Sequence, residues 1–100
     1  MQKNILIVDD DQHIREVLQF ALEKAGFSIE SAVNGKEALD KFASRAFDCV
    51  VLDITMPEMD GLEVCRQIRK TSATPILFLS SRDEEIDRII GFEIGGDDYV

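Results

Sequence analysis

The sequence predicts a doubly wound α/β domain built on a mostly parallel, five-stranded sheet. Strand-like and helix-like patterns alternate along all 100 residues. Three short runs, Ile5-Leu6-Ile7-Val8, Val50-Val51-Leu52 and Ile76-Leu77-Phe78-Leu79, are apolar at successive positions, as strands covered on both faces must be. Each run then stops at a polar cluster: Asp9-Asp10-Asp11, Asp53 and Ser80-Ser81.

Residues 4–8 read as the first strand. A helix follows over 12–25, with Ile14, Val17, Leu18, Ala21, Leu22 and Ala25 on one stripe. Asp11 is placed to cap it, or to sit near a metal, and Gly26 stops it. Phe27 to Val33 reads as the second strand, with Phe27, Ile29 and Val33 on one side. Its imperfect alternation with Ser28, Glu30 and Ser31 marks a more exposed strand. Asn34-Gly35 turns the chain into a helix over 36–44 whose apolar face is Ala38, Leu39 and Phe42. The third strand spans 48–53 and has the character of a central one. A loop from Ile54 to Asp60 leads to a helix over 61–70 with Leu62, Cys65 and Ile68 inward. Pro75 introduces the fourth strand, 76–80. A fourth helix over 84–93 carries Ile86, Ile89, Ile90 and Phe92, a surplus that suits core packing or a partner face. Gly95-Gly96 breaks that pattern, and Asp97-Asp98-Tyr99-Val100 opens a fifth strand. Val100 falls inside an element with no turn or cap after it, so a fragment truncated before a closing helix is expected.

Composition narrows the function. One hundred residues suit one small domain. A net charge of -9, from 20 acidic against 11 basic side chains, disfavours direct binding to nucleic acid or to an anionic membrane. It suits a partner with a basic patch. No apolar stretch reaches membrane-spanning length, and Met1-Gln2-Lys3-Asn4 has no signal-peptide pattern, so a cytoplasmic location is expected. Cys49 and Cys65 read as buried reduced thiols, and His13 as a surface or capping residue.

In a parallel sheet the carboxyl ends of the three apolar strands meet at one edge, where doubly wound folds collect ligands. That edge gathers Asp9, Asp10, Asp53 and Ser80. Crowded carboxylates repel one another and are costly out of water, so the arrangement implies a hard cation, magnesium above others. Asp53 is the best nucleophile candidate, because a carboxylate can attack a phosphoryl group and form an acyl phosphate. Asp10 and Asp53 are candidate direct ligands, with a backbone carbonyl just after Asp53 as another, and Ser80 can donate to a phosphoryl oxygen. Asp60-Gly61 reads as a turn and helix entry. Glu58, Asp83, Glu84 and Glu85 read as solvated acids favouring helix N-termini. A dinucleotide site would need a glycine-rich turn where the three acids stand. There is no phosphate-binding loop with its Lys-Ser/Thr pair, and Ser80-Ser81 lack the glycines of a nucleophile elbow.

These segments together resemble the receiver domain of two-component response regulators. The resemblance covers the whole chain. It rests on Val8-Asp9-Asp10-Asp11, on the run from Leu52 through Asp53, Thr55 and Pro57 to Gly61, on Pro75 to Ser81, and on Gly95 to Val100. It implies a flavodoxin-like sheet, incomplete at its C-terminus, with residues 1–100 forming one truncated phosphoacceptor domain. It also implies that Asp53 accepts a phosphoryl group from a sensor histidine kinase or a phosphotransfer protein. By the same resemblance Asp9 and Asp10 are the acidic pair at magnesium, and Thr55 offers its backbone carbonyl to the ion. Ser80 is the switch hydroxyl and Tyr99 the switching aromatic, while Thr55 and Arg82 set dephosphorylation. The family's lysine would fall just beyond Val100. The ending and Asp87-Arg88 and Glu93 are similar to transcriptional regulators with a C-terminal winged helix. Those dimerise through helix four, strand five and helix five, and touch DNA only through an effector domain absent here.

A signalling phosphoacceptor is thus expected rather than an enzyme. Two other readings are kept: a phosphorylation-independent interaction domain on the same fold, and a magnesium-dependent phosphohydrolase working through an aspartyl phosphate. The second needs a general acid–base close after the nucleophile, where Thr55 stands.

Overall fold

The computed structural model describes residues 3–54, 56 and 59–79, and the backbone of 98–99. The expected order of elements is present in them. Strand β1 (Asn4–Val8) leads to helix α1 (Gln12–Lys24), then β2 (Ser28–Ala32), α2 (Gly35–Ser44) and β3 (Cys49–Asp53). Helix α3 (Gly61–Arg69), β4 (Ile76–Leu79) and β5 (Asp98–Tyr99) follow. The helix expected over 84–93 lies outside the described residues.

The five strands pair in the order β2-β1-β3-β4-β5, every pair parallel. This is the flavodoxin-like doubly wound order. Strand order reverses between β1 and β3, so the switch point falls where Val8 pairs with Leu52.

The apolar runs are buried from two sides because strand side chains alternate between faces. Leu6, Val8, Val50, Leu52, Ile76 and Phe78 enter one core with Ala38 of α2 and with Val64, Cys65 and Ile68 of α3. Ile5, Ile7, Ile29 and Val51 enter a second, against which Leu18, Leu22 and Phe27 pack. A fully buried side chain of this size contributes about 1.5–3 kcal/mol, so β1 and β3, buried on both faces, anchor the sheet.

Each described helix begins at a side-chain cap. Asp11 accepts from the amides of His13 (2.9 Å) and Ile14 (3.3 Å), Asn34 from Glu37 (2.8 Å), and Asp60 from Glu63 (2.9 Å). Helix α1 stops as expected at Gly26, which takes φ 103° while its amide donates to Glu23 O and that of Phe27 to Leu22 O.

Three expectations are corrected. Val33 does not continue the inward face of β2: the strand ends at Ala32, which is fully buried, and Val33 is 43% exposed. Its amide is taken by Glu37 Oε1 at 2.7 Å, which turns the backbone out of the sheet. In α1 only Leu18 and Leu22 of the stripe reach the second core, while Ile14, Val17, Ala21 and Ala25 are exposed. The stripe is wider than the contact α1 makes with the sheet among the described residues. Of the two cysteines, Cys65 is buried but Cys49, at the start of β3, is only half-buried. No disulfide links them. His13 is exposed, as expected. No described helix is long and apolar enough to cross a membrane.

Candidate functional site

The parallel register builds the site. Val8 pairs with Leu52, so the residues that follow them, Asp9 and Asp53, leave adjacent strands at the same level. Asp53 is the last residue of β3 and pairs with Leu79, the residue before Ser80 in the chain. Carboxylate oxygens of Asp9, Asp10 and Asp53 all lie within 4.8 Å of one another. Opposite ligands of an octahedral magnesium ion, bound at ~2.1 Å, stand ~4.2 Å apart. The three acids therefore supply hard oxygen donors at a spacing that suits one small divalent cation.

Burial is graded across the cluster. Asp9 is 3% exposed and is the single buried charged side chain among the described residues. Asp53 is half-buried and Asp10 exposed, so the cluster opens to solvent on the Asp10 side. Burial is the main reason that the Asp9 carboxyl titrates above its ordinary range. The neighbouring charges of Asp10 and Asp11 push the same way, against the Asp11 amide and the Arg15 guanidinium. A cation at the cluster relieves this cost by pairing the buried charge.

The loop after β1 is held through the backbone of Asp9 and Asp11. The Asp9 amide donates to Ala32 O (3.2 Å), and Asp9 Oδ1 accepts from the Asp11 amide (2.9 Å). Arg15 reaches back from the first turn of α1, its Nη1 donating to the Asp9 carbonyl at 2.7 Å, while its own amide donates to Asp11 O at 3.1 Å. Asp11 is thereby the helix cap rather than a fourth member of the cluster. The other wall begins at Gly61, whose amide donates to Ile54 O at 2.9 Å. A Cβ on Gly61 would overlap the Asp53 carbonyl.

The structure thus brings together Asp9, Asp10 and Asp53. Thr55, Ser80 and Arg82 lie outside the described residues. Tyr99 is described only through its backbone, which pairs with Phe78. Two residues of the site were missed by sequence reasoning, Arg15 and Gly61. A lone arginine one turn into a helix entered through three acids was a usable signal for the first. For the second, Asp60-Gly61 signals a turn but not what the glycine packs against.

Comparison with known proteins gives one family. The response regulator receiver domain matches residues 5–100. The alkaline phosphatase synthesis transcriptional regulatory protein PhoP of Bacillus subtilis is 45% identical over 101 residues, covering 100% of this chain and 42% of that protein. The structure of the chemotaxis protein CheY4 of Vibrio cholerae superposes with a TM-score of 0.95 at 32% identity, covering 100% of this chain and 86% of that one. The response regulator TrrA of Thermotoga maritima, solved in complex with magnesium and a beryllium fluoride, gives a TM-score of 0.90 at 41% identity over 99% of this chain and 85% of that one. The chain spans 40–42% of the length of the curated relatives it matches.

Proposed function

The chain belongs to the response regulator receiver domain family, and on that premise we propose that it is a signalling switch that accepts a phosphoryl group on Asp53. The observation that carries this reading is the meeting of the Asp9, Asp10 and Asp53 carboxylates at the β1/β3 switch point. Asp9, Asp10 and Asp53 would hold magnesium, with the Thr55 carbonyl as a further ligand. A bound magnesium ion would neutralise charge on the carboxylates and on the oxygens of the transferring group.

The phosphoryl donor is a sensor histidine kinase or a phosphotransfer protein. An Asp53 carboxylate oxygen forms the new P–O bond while the donor's P–N bond breaks, and the departing imidazole nitrogen keeps the electron pair. Gly61 and the β3 register keep the Asp53 backbone in place during the attack, and Arg15 and the Asp11 cap do the same for the Asp9–Asp10 loop. The product carries roughly two negative charges at the sheet edge. Ser80 then donates to a phosphoryl oxygen and Tyr99 follows it inward, which resets the surface around the expected fourth helix and strand five and offers it to a second copy. PhoP is named as a transcriptional regulator. Residues 1–100 are accordingly read as the receiver, and control of transcription as acting through DNA-binding sequence outside this chain, in the cytoplasm.

Intact-mass spectrometry after incubation with a small phosphodonor tests the reading. One added phosphoryl group that requires magnesium is expected. Steady release of phosphate from small esters, without a labelled intermediate, would favour a phosphohydrolase instead. No labelling, and no magnesium binding, would favour a phosphorylation-independent interaction domain.

A further inference from the structure

We propose that Arg15 is a positioning residue for the divalent cation: its guanidinium fixes the peptide unit between Asp9 and Asp10, and with it the direction of both carboxylates. This rests on the reading that Asp9 and Asp10 hold the ion. Arg15 Nη1 donates to Asp9 O at 2.7 Å, a short bond of the charge-assisted kind. That carbonyl belongs to the plane that also contains the Asp10 amide nitrogen, so the bond restrains the two dihedrals that aim the flanking side chains. The other anchors of the loop stand at its ends. The Asp9 amide is tied to Ala32 O, and Asp11 is tied through its amide, its carbonyl and its side chain. The Asp9–Asp10 peptide is the centre of the loop, and among the described residues Arg15 is the side chain that holds it. Arg15 is itself held, because its backbone sits in the first turn of α1 behind the Asp11 cap and its side chain is half-buried. A group that orients ligands from behind acts on affinity without touching the ion.

A guanidinium near a cation could instead act by repulsion, and the two roles predict opposite signs. Loss of positioning weakens cation binding, whereas loss of a repelling charge tightens it. The test is titration of magnesium by calorimetry into the metal-free protein carrying this chain, as the parent, as Arg15→Met and as Asp10→Asn, with the Tm of each measured in chelator. Methionine keeps the length of the side chain and removes donor and charge together. The proposal expects Arg15→Met to weaken magnesium binding by about tenfold, the order of one charged hydrogen bond, at a Tm that shows it folded. Unchanged affinity with a lowered Tm would make Arg15 merely structural and overturn the proposal. Tighter binding would overturn it in favour of charge repulsion. Failure of the parent to bind magnesium, or binding untouched by Asp10→Asn, would overturn the site reading itself and this inference with it.

Discussion

Gly61 lies against the main chain of Asp53: a Cβ there would overlap the Asp53 carbonyl oxygen and stand 2.8 Å from its carbon. The obstacle is backbone of a central strand, so it cannot swing aside as a flexible side chain would. Gly61→Ala is expected to cost about 3 kcal/mol, the upper end for overpacking, and to slow phosphoryl labelling by moving Asp53. Urea denaturation and a labelling time course check both, and a variant with parental stability would contradict the contact.

Asp9 links the site to stability. Its carboxyl is raised by burial in the folded chain, so on raising the pH the unfolded chain releases this proton first. Between the two pKa values the native state binds more protons, and stability falls as pH rises through that window. The deficit persists to neutral pH in the absence of a cation. Asp9→Asn keeps an oxygen for the Asp11 amide and removes the charge. In chelator at about pH 7 the variant is expected to melt above the parent, because it carries no buried charge at this position. The difference should shrink as acid protonates Asp9 in both states. Added magnesium should raise the parent's Tm by linkage and leave the variant's nearly unchanged.

Two phenylalanines separate core from surface. Phe78 is fully buried in the first core, whereas Phe20 on α1 is 69% exposed, with Lys24 Nζ 5.7 Å from its ring centre. Phe78→Ala is expected to cost about 3–5 kcal/mol and Phe20→Ala no more than about 0.5 kcal/mol. Denaturant midpoints on both variants check the contrast.

The sheet was readable because β1, β3 and β4 announce themselves as bounded apolar runs, and because parallel pairing puts their ends at one level. That is also why the sequence alone places Asp9, Asp10 and Asp53 at one edge. Helix ends were readable where the chemistry is local, at Asp11, Asn34, Asp60 and Gly26. What escaped depends on distance. Val64 is fully buried because of where α3 docks on the sheet, which its own pattern does not state. Val33 leaves β2 because Glu37 takes its amide, a bond that competes with continued strand pairing. The bond from Arg15 to Asp9 O spans six residues across a helix entry. The contact of Gly61 with Asp53 depends on the path of the intervening loop.

The most direct test of the central claim is to locate the phosphoryl group. The protein is labelled with a small phosphodonor and magnesium, trapped chemically at the acyl phosphate, and mapped by peptide mass spectrometry beside Asp53→Asn. The account predicts one modified residue, Asp53, and no label on a folded Asp53→Asn variant. Full labelling of that variant, or a parent modified at Asp9 or Asp10 instead, would contradict it.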